Sequence, residues 1–127
     1  MSRKAKLLKI YLLVFGVLNI GFLSYMPILF GDILLWQPRN IPVEMMLGSL
    51  YFAMGIVMIR VAKYPLKHKG LIDFIILGNL MHAILMIFYA EHILHIILDV
   101  GAIGLLGGIP LIIYPWGIRH FLRYADE

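Results

Sequence analysis

The residues of this chain that could take part in chemistry are polar and ionisable side chains inside otherwise apolar segments. His92, His95 and Asp99 follow one another at i, i+3 and i+7, and Asn79 and His82 are three apart in the preceding segment. Residues at these spacings share one face of a helix. Ionised groups at membrane depth cost about 2.5–3.5 kcal/mol each and usually face the interior of a helix bundle. The first candidates for a site at membrane depth are therefore Asn19, Asn79, His82, His95 and Asp99, with His92 on the same face at the turn.

The short polar turn between these two segments sets the expected depth of their polar residues. Glu91 and His92 interrupt the apolar sequence there, which predicts an antiparallel helical hairpin. His82 and Asp99 lie about eight and a half residues on either side of the turn, so both should sit roughly 12–13 Å below it. We therefore expect His82 and Asp99 to pair across the hairpin, with His95 one helical turn above Asp99.

Two further polar patterns lie in the earlier segments. Glu44, Gly48, Tyr51 and Gly55 repeat at i, i+4, i+7 and i+11, so they lie within about 60° of one direction on a helix. This face is either a packing seam topped by an interfacial carboxylate, or it brings Glu44 and Tyr51 to the cavity of the expected His–Asp pair. Asn19 is a further polar residue at membrane depth.

Three interpretations of the polar cluster remain open. The first is a hydrogen-bond network that fixes the hairpin. The second is a metal or haem site with His82, His92, His95 and Asp99 as ligands; imidazole and carboxylate suit zinc, iron or copper, but the spacing matches no established signature. The third is a proton or small-ligand site reached from the outer face, because a histidine beside a carboxylate can titrate near neutrality.

The composition indicates which elements position these residues. The chain has 127 residues, of which 62% are hydrophobic and 14% charged, against roughly a quarter charged in soluble domains. A soluble domain of this size cannot bury so much apolar surface. Its lack of cysteine excludes disulfides and thiolate chemistry. We predict one all-α domain over residues 1–127, a four-helix transmembrane bundle with short loops and spans at about 10–31, 43–62, 71–89 and 93–113.

The distribution of positive charge predicts the orientation of the bundle. Of the eleven Lys and Arg residues, only Arg39 lies in a loop expected on the outer side. The other ten flank the opposite ends of the spans: Arg3, Lys4, Lys6, Lys9, Arg60, Lys63, Lys67, Lys69, Arg119 and Arg123. Basic loops stay cytoplasmic, so we expect a multi-pass protein of the inner (plasma) membrane with both termini cytoplasmic. These charges suit lipid headgroups better than nucleic acid.

Small residues in the last segment predict close helix packing. Gly104 and Gly108 are four apart and share a face, as in motifs that let two helix backbones approach. We expect this face to pack within the bundle or, in a homo-oligomer, against a second copy. Pro110 should loosen the same helix because it lacks a backbone donor.

Several local motifs resemble a family of small four-helix bacterial membrane proteins that is known as a domain of unknown function. The resemblance covers about residues 35–116. The residues that carry it are Trp36, Pro38, the stretch from Met46 to Tyr51, Pro65, His68, His82, His95 and Asp99. It implies the four-span architecture and assigns no reaction. A looser likeness to DoxX-like four-helix proteins concerns size and layout alone.

These observations favour a non-enzymatic membrane protein. It would be an accessory subunit of a larger membrane complex or a binder of a small apolar or protonatable ligand, because the sequence contains no nucleotide motif or established catalytic signature. One alternative is a metal- or haem-dependent membrane oxidoreductase that uses the His/Asp cluster. Another is a homo-oligomeric channel or proton-coupled carrier. The sequence assigns no catalytic residue and no cofactor.

Overall fold

The computed structural model describes residues 1–34 and 37–114, and these residues form helices, turns and loops without any strand. Four helices are long and apolar enough to cross a membrane. They are α1 (Arg3–Leu23), α3 (Ile41–Val61), α4 (Lys69–Tyr89) and α5 (Ile93–Ile113), with a short α2 (Met26–Leu34) after α1. The prediction of an all-α chain with four long apolar helices is confirmed. Trp36 and the basic residues Arg119 and Arg123 lie outside the described residues.

The first helix differs from the predicted span of residues 10–31. It begins at Arg3, where the Ser2 hydroxyl accepts a hydrogen bond from the Ala5 amide at 3.2 Å, because a capped end satisfies an otherwise unpaired backbone donor. It ends at Leu23, and a separate helix begins at Met26. Pro27 lacks a backbone donor, so a proline in the second position suits the start of a new helix better than the interior of a continuous one.

The hydrophobic core fills one half of the molecule, beside the end that carries the start of α1 and the α3–α4 connection. We call this the basic end. One cluster of buried side chains there joins α1, α3 and α4 and consists of Tyr11, Leu12, Met58, Ala62 and Ile75. A second joins α1 and α4 and consists of Leu8, Ile72 and Ile76. Tyr11 also donates a 2.5 Å hydrogen bond to the Leu106 carbonyl of α5. Apolar packing thus closes this half.

Glycines let α1 and α3 approach closely. A Cβ atom on Gly55 would lie 2.6 Å from the Gly16 carbonyl oxygen, and one on Gly48 would lie 2.6 Å from the Ser24 carbonyl oxygen. Real side chains do not tolerate such distances, so only glycine allows these backbones to touch. The packing-seam interpretation of the Gly48 and Gly55 face therefore describes how α3 meets α1.

The expected packing of Gly104 and Gly108 within the bundle is wrong for the described residues, and their alternative packing against a second copy stays a prediction. A Cβ atom on either residue would meet nothing within 4 Å. Gly107 is the close-packed glycine of α5 instead, since its Cβ would lie 2.9 Å from Leu80 Cγ and 3.1 Å from the Ile76 carbonyl oxygen of α4. Glycine spacing identified a shared helix face, but it could not show which face of α5 meets α4.

Candidate functional site

The centre of the candidate site is a contact between α3 and α4. The Tyr51 hydroxyl oxygen lies 3.4 Å from Nδ1 of His82, and both side chains are partly buried. This is a long hydrogen bond, and the tautomer of the imidazole decides which of the two groups donates. The backbones of α3 and α4 come close at few points, whereas α3 packs along α1 and α4 packs along α5. Near the basic end, side chains of α3 and α4 share the core cluster that contains Met58, Ala62 and Ile75. The Tyr51–His82 contact therefore bridges a gap between two helices.

Asp99 lies near this contact but does not pair with His82. Among residues 1–34 and 37–114, no hydrogen bond or ion pair joins the two side chains, so the expected His82–Asp99 pair is wrong. The Asp99 carboxylate instead lies within electrostatic range of Tyr51 and His92. Its Oδ2 atom is buried and accepts no hydrogen bond from any described residue. The carboxylate thus lies near Tyr51 and has an acceptor atom that no described residue uses.

A π-helical segment places Asp99 differently from the position that a regular α-helix predicts. Residues Ile96–Val100 form a π-helix inside α5. A π-helix closes its hydrogen bonds over five residues, so it changes the rotation and rise of each residue relative to an α-helix. Asp99 therefore lies on a different face and at a different depth from those calculated at 1.5 Å per residue. Such bulges often occur at functional sites.

His95 and His92 close the turn between α4 and α5. Their rings are 3.8 Å apart between centroids, and Nδ1 of His95 lies 3.4 Å from the Glu91 amide, which donates to it. His95 is buried and His92 is exposed. Within the described chain, no three His, Asp or Glu side chains are arranged to hold a metal ion. The predicted ligand set of these two histidines with His82 and Asp99 does not converge, because the histidines stack at the turn while His82 contacts α3.

Glu44 belongs to an ion-pair network and not to the Tyr51 cluster. Its carboxylate accepts hydrogen bonds from Arg39 at 2.6 and 3.3 Å, and Arg39 also contacts Asp32 at 3.2 Å. A Cβ atom on Gly31 would collide with the Arg39 guanidinium. The hydrogen bond to Glu44 raises the pKa of Arg39 above its usual value. The expectation that Glu44 lines the cavity is therefore wrong, because its carboxylate pairs with Arg39 of the loop before α3.

Removal of Arg39 is expected to destabilise the protein more than removal of an exposed cation. Arg39→Gln leaves the Glu44 side chain, which is 9% exposed, without its guanidinium, and an uncompensated buried carboxylate is unfavourable. The melting temperature in mild detergent should fall for Arg39→Gln, fall less for the double variant with Glu44→Gln, and stay unchanged for Arg60→Gln. Additive losses in the double variant would show that the two groups do not interact.

The two asparagines occupy different places. The Asn79 side-chain amide donates to the Ile75 carbonyl at 2.8 Å, and no described residue donates to its own carbonyl oxygen. It lies three residues before His82 on the same face of α4. Asn19 is fully buried between α1 and α3, where its amide contacts the Phe15 carbonyl at 2.7 Å and Met58 Sδ at 3.6 Å. Asn79 therefore joins the site, and Asn19 lies outside it.

A groove of about 350 Å³ runs between α3 and α4 and reaches the Tyr51–His82 contact. Its wall is mostly apolar, and its polar groups come from Tyr51, Asn79 and His82. The lining residues are Leu47, Leu50, Tyr51, Ala53, Met54, Val57, Leu71, Phe74, Gly78, Asn79 and His82. Several of them, such as Leu50 and Phe74, are also exposed on the outside of the helices, so the groove opens sideways. Sequence reasoning found its polar residues but missed this apolar wall.

Comparisons with protein-family models, with curated proteins and with solved structures gave no match. The resemblance that rests on Trp36, His82, His95 and Asp99 therefore stays a prediction.

Proposed function

We propose that this protein is a multi-pass protein of the inner (plasma) membrane that binds a lipid-soluble molecule with a single chain and a small hydrogen-bonding head. The chain of the ligand lies in the groove between α3 and α4, and the head binds at Tyr51, His82 and Asn79. The observation that carries this proposal is the groove itself, whose apolar wall reaches the polar Tyr51–His82 contact between two helices whose backbones come close at few points.

The available hydrogen-bonding groups support this ligand class. Tyr51 and His82 each offer a donor or an acceptor, and the Asn79 carbonyl is an acceptor that no described residue uses. Asp99 adds a buried acceptor close to Tyr51. In lipid, a molecule gains little by moving its apolar chain from the bilayer into a protein groove, so polar contacts and packing must supply the selectivity. A hydroxyl or amine head fits these groups, because it can donate to the Asn79 carbonyl and can also accept from Tyr51 or His82.

The position of the site along the molecule supports a binder more than a conduit. Tyr51 and Asn79 lie at the midpoints of α3 and α4, and His82 lies three residues further from the basic end. In the described part of the basic half, Asp73 is a buried carboxylic acid, but the five residues between it and Asn79 on α4 are all apolar, so α4 offers no continuous polar path toward the basic end. With ten of the eleven basic residues at the opposite ends of the spans, the positive-inside rule favours cytoplasmic termini. The groove would then span the middle of the membrane, because its lining extends from Leu47 to Val57 on α3 and from Leu71 to His82 on α4.

Photo-crosslinking tests the proposal directly. The probe is a long-chain alcohol that carries a diazirine in its chain, added to the full-length protein in nanodiscs, with crosslinked peptides identified by mass spectrometry. Crosslinks are expected on the groove wall, at Leu50, Phe74 or Leu47. Tyr51→Phe removes one hydroxyl and should lower the crosslinking yield by about threefold to tenfold, the value of one hydrogen bond. Tyr25→Phe removes a hydroxyl outside the groove and should leave the yield unchanged.

Two results would overturn the proposal. Crosslinks spread evenly over all lipid-facing residues would show that the groove does not select the probe. Equal yields for the Tyr51→Phe and Tyr25→Phe variants would show that the polar cluster does not hold the head. Elemental analysis and an absorption spectrum test the oxidoreductase alternative, for which stoichiometric metal or haem would have to disappear in His82→Ala.

A further inference from the structure

The basic end of the molecule carries a surface that the groove does not use. In the described residues it contains eight Lys and Arg side chains, and none of them forms an ion pair with a carboxylate. They are Arg3, Lys4, Lys6, Lys9, Arg60, Lys63, Lys67 and Lys69. Asp73, the acidic residue of α4, is buried beneath this surface with 4% exposure. The surface is therefore strongly positive and lacks internal compensation among the described residues.

The most specific part of this surface is the turn after α3. The ammonium groups of Lys63 and Lys67 lie 5.4 and 5.0 Å from the centre of the Tyr64 ring. The backbone of the turn is fixed by two hydrogen bonds, from the Tyr64 amide to the Val61 carbonyl and from the Lys67 amide to the Tyr64 carbonyl. Pro65 is buried beneath it. Each cation is attracted to the ring, but the two cations repel each other. An anion bound at these ammonium groups would supply the negative charge that no described carboxylate provides to them.

The start of α1 extends the same surface. α1 contacts the short helix Pro65–Lys67, and Ala5 and Leu8 are buried against the rest of the molecule. The basic residues of α1 are thus brought next to the turn after α3. Tyr64 itself is 52% exposed, and exposed tyrosines with lysines are typical of the level of the lipid headgroups. At that level, the ligand with the matching charge is a phospholipid phosphate.

We propose that the Lys63–Tyr64–Lys67 turn binds the phosphate headgroup of an anionic phospholipid, with the start of α1 adding only the surrounding positive field. Charge complementarity carries this proposal, because two uncompensated cations share one aromatic ring at the depth where the helices leave the apolar part of the bilayer. The site is independent of the groove between α3 and α4. It would fix the depth of the bundle and the position of the α3–α4 connection in the membrane.

The test uses the full-length protein in nanodiscs of phosphatidylcholine with and without phosphatidylglycerol, with bound lipid counted by native mass spectrometry. Lys63→Gln with Lys67→Gln should lower phosphatidylglycerol retention by about fivefold or more, since one lysine near anionic lipid contributes about fivefold. Lys63→Arg with Lys67→Arg should retain the lipid. Lys4→Gln with Lys6→Gln removes the same charge from α1 and should have a smaller effect.

Three outcomes would overturn the proposal. Equal losses in the two double glutamine variants would indicate a diffuse field instead of a site. Unchanged retention in the Lys63 and Lys67 variants would show that the turn does not bind lipid. Release of the lipid by inorganic phosphate in the unaltered protein would identify a site for a free anion. Circular dichroism of each variant confirms that the helices are intact, so that a loss of retention reports on binding.

Discussion

Gly78→Leu is expected to abolish probe binding in the groove while leaving the fold intact. Gly78 lines the groove, and a Cβ atom added there would meet nothing within 4 Å. The leucine side chain would therefore enter the space that the ligand chain needs. Forcing two groups into one packed space costs about 1–3 kcal/mol, which corresponds to about tenfold or more in affinity. The yield of alcohol crosslinks at Leu50 and Phe74 measures this loss.

The same substitution should not destabilise the helix. Leucine is a better helix former than glycine by up to about 0.8 kcal/mol. The melting temperature should therefore stay equal or rise slightly. This separates a blocked groove from an unfolded protein. Gly104→Leu is the matched control, because Gly104 also has open space around its Cβ position but lies on α5, away from the groove.

The result for this pair of variants decides between groove binding and general partitioning. If Gly78→Leu and Gly104→Leu both retain full crosslinking, the probe is taken up by the bilayer around the protein and the proposed site is wrong. If both variants lose crosslinking, the loss comes from adding a leucine anywhere in the protein and not from filling the groove. Loss in Gly78→Leu alone, with an unchanged melting temperature, is the result that the structure predicts.

Gly55→Ala is expected to cause a large loss of stability. The new methyl group would lie 2.6 Å from the Gly16 carbonyl oxygen, 2.7 Å from Ile20 Cγ1 and 3.0 Å from Asn19 Cβ. The first neighbour is backbone, so α1 and α3 must move apart. Overpacking of this kind costs about 1–3 kcal/mol, and alanine regains roughly 1 kcal/mol over glycine in a helix, so the expected net loss is up to about 2 kcal/mol. Reversible unfolding in mixed detergent micelles measures the free energy of unfolding.

Gly104→Ala provides the comparison for this prediction. Its methyl group meets nothing within 4 Å, so only the gain in helix propensity remains and the free energy of unfolding should rise or stay constant. Equal losses in both variants would mean that α1 and α3 are not in close contact in the membrane. A stabilised Gly55→Ala protein would contradict the packing seam directly.

Some features of the site could be read from the residues alone. Ionisable and amide side chains are rare and costly at membrane depth, so the chemistry-bearing residues Tyr51, Asn79 and His82 stood out from the apolar sequence around them. Their spacing also put Asn79 and His82 on one face of α4. The structure places these three around one groove.

Other features depended on local geometry that the spacing did not reveal. The π-helix at Ile96–Val100 moved Asp99 away from the position calculated for a regular helix. Arg39 lies five residues before Glu44 and binds its carboxylate, which keeps Glu44 out of the cavity. The sequence contains the information for this ion pair, because Arg39 is the one base in the loops opposite the basic end and lies close to Glu44.

The sequence by itself determined that four apolar helices form and where the charged residues separate them, because stretches of about twenty apolar residues can be accommodated only as helices in lipid. Tertiary structure alone decided which faces meet: that Gly55 and Gly107 pack while Gly104 stays open, and that Tyr51 reaches His82. The physical reason is that lipid and protein interior are equally apolar. A helix that is hydrophobic all round carries no pattern that marks its buried face.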